Sequence, residues 1–121
     1  MSRLAELELD DRDSVRVASL SGELDLSNVR DVSDALVAGV PGDALGLVID
    51  LSGLRHLDSA GLRMLFDLRR RLTQRRQEVV LAVPEDARIR DVLELAAVEL
   101  TIVVMPTVDE AITAVRESVG A

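Results

Sequence analysis

Asp58-Ser59-Ala60-Gly61-Leu62, followed by Arg63, brings a carboxylate, a hydroxyl and a guanidinium together in one short stretch. The apolar run Ala44-Leu-Gly-Leu-Val-Ile49 upstream has the make-up of a buried strand, and Gly61, Leu65, Leu68 and Leu72 downstream recur at helical spacing. The pattern predicts a strand that ends near Asp50, a loop, and an amphipathic helix that begins near Ser59. At such a junction a serine has two uses. Its hydroxyl can accept a hydrogen bond from a backbone N–H one turn in and cap the helix, worth about 1 kcal/mol. Alternatively, the free N–H groups and the positive end of the helix dipole favour a phosphate carried on that hydroxyl. Arg63 lies one turn along the same face, where it can either reach back to such a phosphate or face a partner.

Enzymatic uses of these residues lack their counterparts. A hydrolytic serine needs a base beside it, yet His56, the single histidine, sits on the same loop and no G-x-S-x-G elbow surrounds Ser59. No G-x-x-x-x-G-K-[ST] or G-x-G-x-x-G loop is present to hold a nucleotide. A phospho-acceptor receiver domain would use a strand-end aspartate such as Asp50 together with a lysine, and all 14 basic residues here are arginine. With zero cysteines and one histidine, thiolate and multi-histidine metal sites are excluded. The expectation is a non-enzyme with no catalytic residues, no cofactor and no metal.

Composition narrows the partners. Hydrophobic residues make up 48% of the 121 residues and charged residues 30%, an ordinary globular balance and enough chain for one core, so residues 1–121 are expected to form a single domain. Phe66 is the only aromatic residue, so the core must be aliphatic and there is no stacking platform for bases. A net charge of -8 opposes a phosphate backbone. Nucleic acid is not expected as a partner. No apolar run approaches the roughly 20 residues of a membrane span, and the N-terminus lacks the basic-then-apolar order of a signal peptide. The expectation is a cytoplasmic protein that does not engage a membrane.

The elements that must position Ser59 follow in order. Leu4–Leu9 and Val15–Leu20 alternate apolar and polar residues around the turn Asp10-Asp-Arg-Asp13 and predict an antiparallel hairpin. Ser21-Gly22-Glu23-Leu24-Asp25-Leu26-Ser27 reads as a second strand-to-helix junction, with Asp25 or Ser27 able to cap a helix striped by Val29, Val32, Leu36, Val37 and Val40. After the central strand and helix, Glu78–Val83 and Leu100–Val104 predict further strands, with helices marked by Ile89, Val92, Leu93 and Ala96 and by Val108, Ala111, Ile112 and Val115. The run Arg69-Arg-Arg71 with Arg75-Arg76 fits the solvated side and end of the central helix. This alternation predicts an α/β fold with a mixed, mainly parallel five-stranded sheet, an N-terminal antiparallel hairpin and about four helices. The two junctions follow neighbouring strands, which would place Glu23, Asp25 and Asp58 around Ser59 at one end of the sheet.

Gly22-Glu-Leu-Asp25, the strand end Leu47-Val-Ile-Asp-Leu-Ser52 and above all Asp58-Ser-Ala-Gly-Leu62 resemble the STAS family, in particular the bacterial anti-sigma factor antagonists. The likeness runs from the first hairpin to Val108-Asp-Glu-Ala-Ile112. It implies a STAS-type fold, with Ser59 as a phospho-acceptor for an anti-sigma factor that is itself a serine kinase of GHKL type. It further implies that the unmodified form binds this anti-sigma factor and frees the sigma factor, and that a serine phosphatase restores the active form. Glu23, Asp25, Asp58, Ser59 and Arg63 would form the contact surface. The family also holds non-catalytic scaffolds, stressosome subunits and partners of lipid-transport ATPases, and these supply the alternative role.

Overall fold

Two strands that alternate apolar and polar residues around a tight turn pair most readily with each other. β1 (Ala5–Arg12) and β2 (Val15–Leu24) do so antiparallel, Ala5 opposite Gly22 and Arg12 opposite Val15. The computed structural model describes residues 5–120, so Leu4, placed in the first strand from the sequence, lies outside the described residues. The chain continues through α1 (Val29–Ala38), β3 (Gly46–Leu57), α2 (Ser59–Gln74), β4 (Glu78–Ala82), α3 (Ile89–Leu95), a short 3-10 turn at Val98–Leu100, β5 (Val103–Met105) and α4 (Val108–Gly120). The five strands lie in sequence order across one sheet, and every pair after the first is parallel. The expected α/β architecture and its mixed sheet are present.

Alternation decides what each face of the sheet buries. Ala18, Leu20, Leu47, Ile49, Val79 and Leu81 point to one side and meet Val32 and Leu36 of α1, Leu65, Leu68 and Leu72 of α2, and Ile89 and Leu93 of α3. Val15, Val17, Val48, Val80 and Ala82 point to the other side, where Ala111, Ile112 and Val115 of α4 cover them. Each fully buried aliphatic side chain contributes about 1.5–3 kcal/mol by leaving water. The core is aliphatic, as the composition requires, and Phe66 packs only part-buried at its margin.

β3 differs most from the sequence expectation. It does not turn into a loop at Asp50 but runs on to Leu57 beside β2. The register explains why. Ser19 pairs with Asp50 and Ser21 with Gly53, then Gly22 with Leu54 and Glu23 with His56, so β3 carries one extra residue at each of two bulges. Each insertion turns a two-residue period into three, and Leu51, Leu54 and Leu57 all face the same helix-covered core. On the β2 side Gly22 adopts a positive φ of 94°, a conformation that costs glycine little. β5 also differs. Ala97 turns left-handed, residues 98–100 coil into the 3-10 turn, and the strand starts only at Val103, while Ile102 ahead of it is already buried.

α2 begins hard against the end of the sheet. A Cβ on Gly61 would run into Leu57 Cδ1 and would lie 3.1 Å from the Leu24 carbonyl oxygen and 3.3 Å from Leu24 Cγ. A side chain there must push α2 away from the two strands that deliver the site. We expect Gly61→Val to lower stability by about 1–3 kcal/mol, the usual cost of overpacking, which outweighs the at most about 1 kcal/mol gained by removing a helical glycine. Urea denaturation reads this directly, and an unchanged midpoint would contradict the close approach.

Candidate functional site

The ends of β2 and β3 deliver two loops to the same end of the sheet, as the sequence predicts for neighbouring parallel strands. Asp58 joins them. Its backbone N–H donates to the Leu24 carbonyl at 3.3 Å, its Oδ1 accepts from the Gly61 N–H at 3.0 Å, and its Oδ2 accepts from the Leu26 N–H at 3.3 Å. Asp58 has an extended backbone, φ −99° and ψ −174°, the usual geometry of an N-cap. The helix cap is therefore Asp58 and not Ser59. Ser59 is the first residue of α2, exposed, and among the described residues its hydroxyl makes no hydrogen bond. The backbone decides this, since Asp58 is extended and Ser59 is already helical, and the charged acceptor also complements the helix dipole.

The β2–α1 loop has its own internal order. Ser27 donates to Asp25 Oδ1 from its hydroxyl at 2.6 Å and from its backbone N–H at 2.9 Å. These bonds, the hydroxyl's first, hold the Asp25 carboxyl below the usual carboxylate range, and His56 adds a weaker pull in the same direction. Asn28 Oδ1 accepts from the Asp25 N–H at 3.0 Å, and its Nδ2 donates to the Glu23 carbonyl at 2.9 Å. Neither Asp25 nor Ser27 caps α1, whose N-cap position is Asn28 without a side-chain cap bond.

Between α1 and α2 lies a groove of about 580 Å³. Ser59 and Asp58 stand at its end, Leu26, Val29 and Met64 give it apolar wall, and the four arginines Arg30, Arg63, Arg70 and Arg71 share its lining with Asp34 and Asp67. The structure thus brings Asp58, Ser59 and Arg63 together. Glu23 and Asp25 are not among the residues that line this groove; Glu23 lies at the end of β2, in register with His56, and Asp25 begins the loop that follows. Of the three carboxylates expected around Ser59, Asp58 adjoins it and lines the groove, while Glu23 and Asp25 stand at the same end of the sheet outside the groove lining. Two further residues escaped the sequence reading. Leu26 is 78% exposed, a large apolar side chain beside the serine. No local pattern marks it, since Leu26 continues the alternation of Leu20 and Leu24 and precedes Val29 of the α1 stripe by three residues. Arg30 comes to Ser59 only through the packing of α1 beside α2, which no local pattern reveals.

The arginine run at the end of α2 is only partly a solvated face. Arg70 pairs with Asp67 at 3.1 Å, and Arg75 donates to the Val40 carbonyl at 3.0 Å, tying the end of α2 to the segment after α1. Next to it Gln77, 3% exposed, donates to the carbonyls of Pro41 and Ala44 and fixes the entry to β3. Among the described residues there is no cluster of metal-ligating side chains and no helix long and apolar enough to cross a membrane.

Two measurements check this geometry. Asp58→Ala should cost about 0.5–2 kcal/mol through the lost cap, whereas Ser59→Ala should stay within about 0.5 kcal/mol, as befits an exposed residue without bonds; equal losses in denaturation experiments would place the cap on Ser59 after all. For Asp25, a folded pKa below its unfolded value means that the group stabilises the fold above the unfolded value near 3.9 and that this contribution is lost as pH falls through the folded one. Ser27→Ala should move the Asp25 midpoint up towards the ordinary range in a carboxyl NMR titration. An unmoved midpoint would show that the hydroxyl bond is not the cause.

Comparison with known proteins agrees with this arrangement of loops and helices. The family model described as STAS domain matches residues 6–111. The chain is 30% identical over 106 residues to the anti-sigma-F factor antagonist RsfB of Mycobacterium tuberculosis, a match that covers 88% of this chain and 85% of that protein. The crystal structure of an anti-sigma factor antagonist from Mycobacterium paratuberculosis superposes with a TM-score of 0.77 at 34% identity, over 93% of this chain and 94% of the other. The anti-sigma factor antagonist SpoIIAA in its unphosphorylated form shares the fold, with a TM-score of 0.63 at 24% identity over 92% of this chain and 98% of the other. A family model that matches residues 6–111, together with a relative 30% identical over 88% of this chain, has one conclusion: the chain belongs to the STAS domain family.

Proposed function

We propose that this protein is an anti-sigma factor antagonist whose binding is controlled at Ser59. In this reading the unmodified form binds an anti-sigma factor that is also a serine kinase of GHKL type, and the sigma factor is released. Transfer of phosphate to Ser59 ends the binding, and a serine phosphatase restores it. The chain supplies a docking surface and a phospho-acceptor, performs no catalysis itself, and works in the cytoplasm as one domain. The observation that carries the reading is an exposed serine, free of any fold-holding bond, beside an apolar and arginine-lined groove in a chain 30% identical to an anti-sigma-F factor antagonist. Glu23, Asp25, Asp58, Ser59 and Arg63 form the proposed contact surface, and the exposure of Leu26 supports including it.

The physical basis of the switch is charge and desolvation. A phosphoserine brings about -1.5 to -2 charge at neutral pH, next to Asp58 and on a chain that already carries -8. Docking would then bury a dianion against a carboxylate, and refolding is not needed to prevent it. The serine's lack of structural bonds supports this economy, because the modification breaks nothing.

The test is the affinity of four forms for the cognate anti-sigma factor: wild type, Ser59→Ala, Ser59→Asp and the phosphoprotein. The expected order is wild type and Ser59→Ala near one another, with Ser59→Asp and the phosphoprotein weaker by tenfold or more, about 1.4 kcal/mol or above. A constitutive scaffold predicts equal binding of all four, and that result would reject the switch.

A further inference from the structure

Asp58 takes the Gly61 N–H and places its own negative charge at the head of α2, so a phosphate on Ser59 meets a helix start that is already capped and locally acidic. Some other group must balance the phosphate, or it will swing out into solvent. The groove supplies the candidates. Arg30 sits in the first turn of α1, Arg63 in the second turn of α2, and both line the cavity that Ser59 also lines. Both are exposed, and among the described residues neither makes an ion pair or a side-chain hydrogen bond. Asp34 and Asp67 lie one turn beyond them on the same helices but do not pair with them, and Asp67 pairs with Arg70 instead.

Helix geometry separates the four arginines. Arg63 stands about 6 Å along the axis from Ser59, within reach of a long side chain, whereas Arg70 and Arg71 stand about 16–18 Å along it and are out of reach. Arg30 approaches from the opposite wall. We infer that Arg30 of α1 and Arg63 of α2 close on phosphorylated Ser59 from both sides of the groove as an intramolecular phosphate clamp. This rests on Ser59 being the phospho-acceptor and goes further in naming how the switch operates. The clamp withdraws two guanidinium groups from the surface offered to the partner, so phosphorylation removes attraction as well as adding repulsion. A guanidinium suits this task because its fork of N–H donors matches two phosphate oxygens, which a lysine ammonium does not.

The experiment uses the full chain with phosphoserine placed at position 59 during translation, which needs no kinase, and reads the second ionisation of the phosphate by phosphorus NMR. The neighbouring charges are Arg30 and Asp34 from α1, and Asp58, Arg63 and Asp67 from α2. Cations that hold the dianion lower its midpoint, and the carboxylates raise it. The clamp predicts a midpoint below the ordinary value of about 6. Arg30→Gln and Arg63→Gln should each move it up by about half a pH unit, while Arg70→Gln leaves it in place. The melting temperatures of the unmodified variants should match wild type, since neither arginine holds the fold. A wild-type midpoint at or above 6, or a midpoint that either Arg30→Gln or Arg63→Gln leaves unmoved, overturns the two-sided clamp. Its failure is distinct from failure of the switch: equal binding of phosphorylated and unmodified chain to the anti-sigma factor sinks the switch, whatever the phosphate titration shows.

Discussion

The carboxylate of Asp58 is the point on which the site depends. One oxygen holds the head of α2, the other holds the loop after β2, and the residue's own N–H is bonded to the Leu24 carbonyl. Three pieces of backbone that could move independently are thereby fixed to one another at the edge of the core. A helix leaves its first N–H groups without intrahelical partners, and the Leu26 N–H, in a loop outside the ladder, is free to take a side-chain acceptor. One ionised side chain answers both needs, with bonds about twice as strong as those of a neutral acceptor. The position of Ser59 relative to Leu26 and Arg30 follows from that anchoring.

Beneath the anchor the packing is exact to a single atom. Leu24 and Leu57 end their strands directly under Gly61, and the absence of a Cβ allows α2 to rest on them. The bulges in β3 make this possible. Without the two extra residues Leu54 would fall on the opposite face from Leu51, and Leu24 would pair with Arg55 instead of Leu57. Irregular pairing here sets the direction of a functional loop, a common use of bulges beside sites.

Much of this was legible in the sequence. The hairpin, the parallel repeats, the helix starting at Ser59 and the aliphatic core follow from periodicity and composition, because each element carries its own pattern. The second half of β3 was not legible: Leu51, Leu54 and Leu57 at spacing three do not read as a strand, and the cause lies in the register with β2, a non-local fact. Asp25 and Glu23 stand at the same end of the sheet as Ser59, but that Asp25 engages Ser27 and that Glu23 pairs opposite His56 is not announced by any local pattern. The assignment of the helix cap turned on which of two adjacent acceptors, Asp58 or Ser59, occupies the extended backbone position, and both residue types are good caps. Arg30 reached the site through the packing of α1 on α2, which sequence spacing alone does not encode.

Asp58 and Ser59 are neighbours that answer to different pressures. Because the cap is made one residue earlier, the Ser59 side chain makes no hydrogen bond among the described residues, and a different side chain there would alter the surface and leave the scaffold's bonds in place. Positions 58 and 61 have no such latitude. A duplicated copy of this gene could thus change its surface at position 59 at once, while its three-dimensional structure stayed where it was.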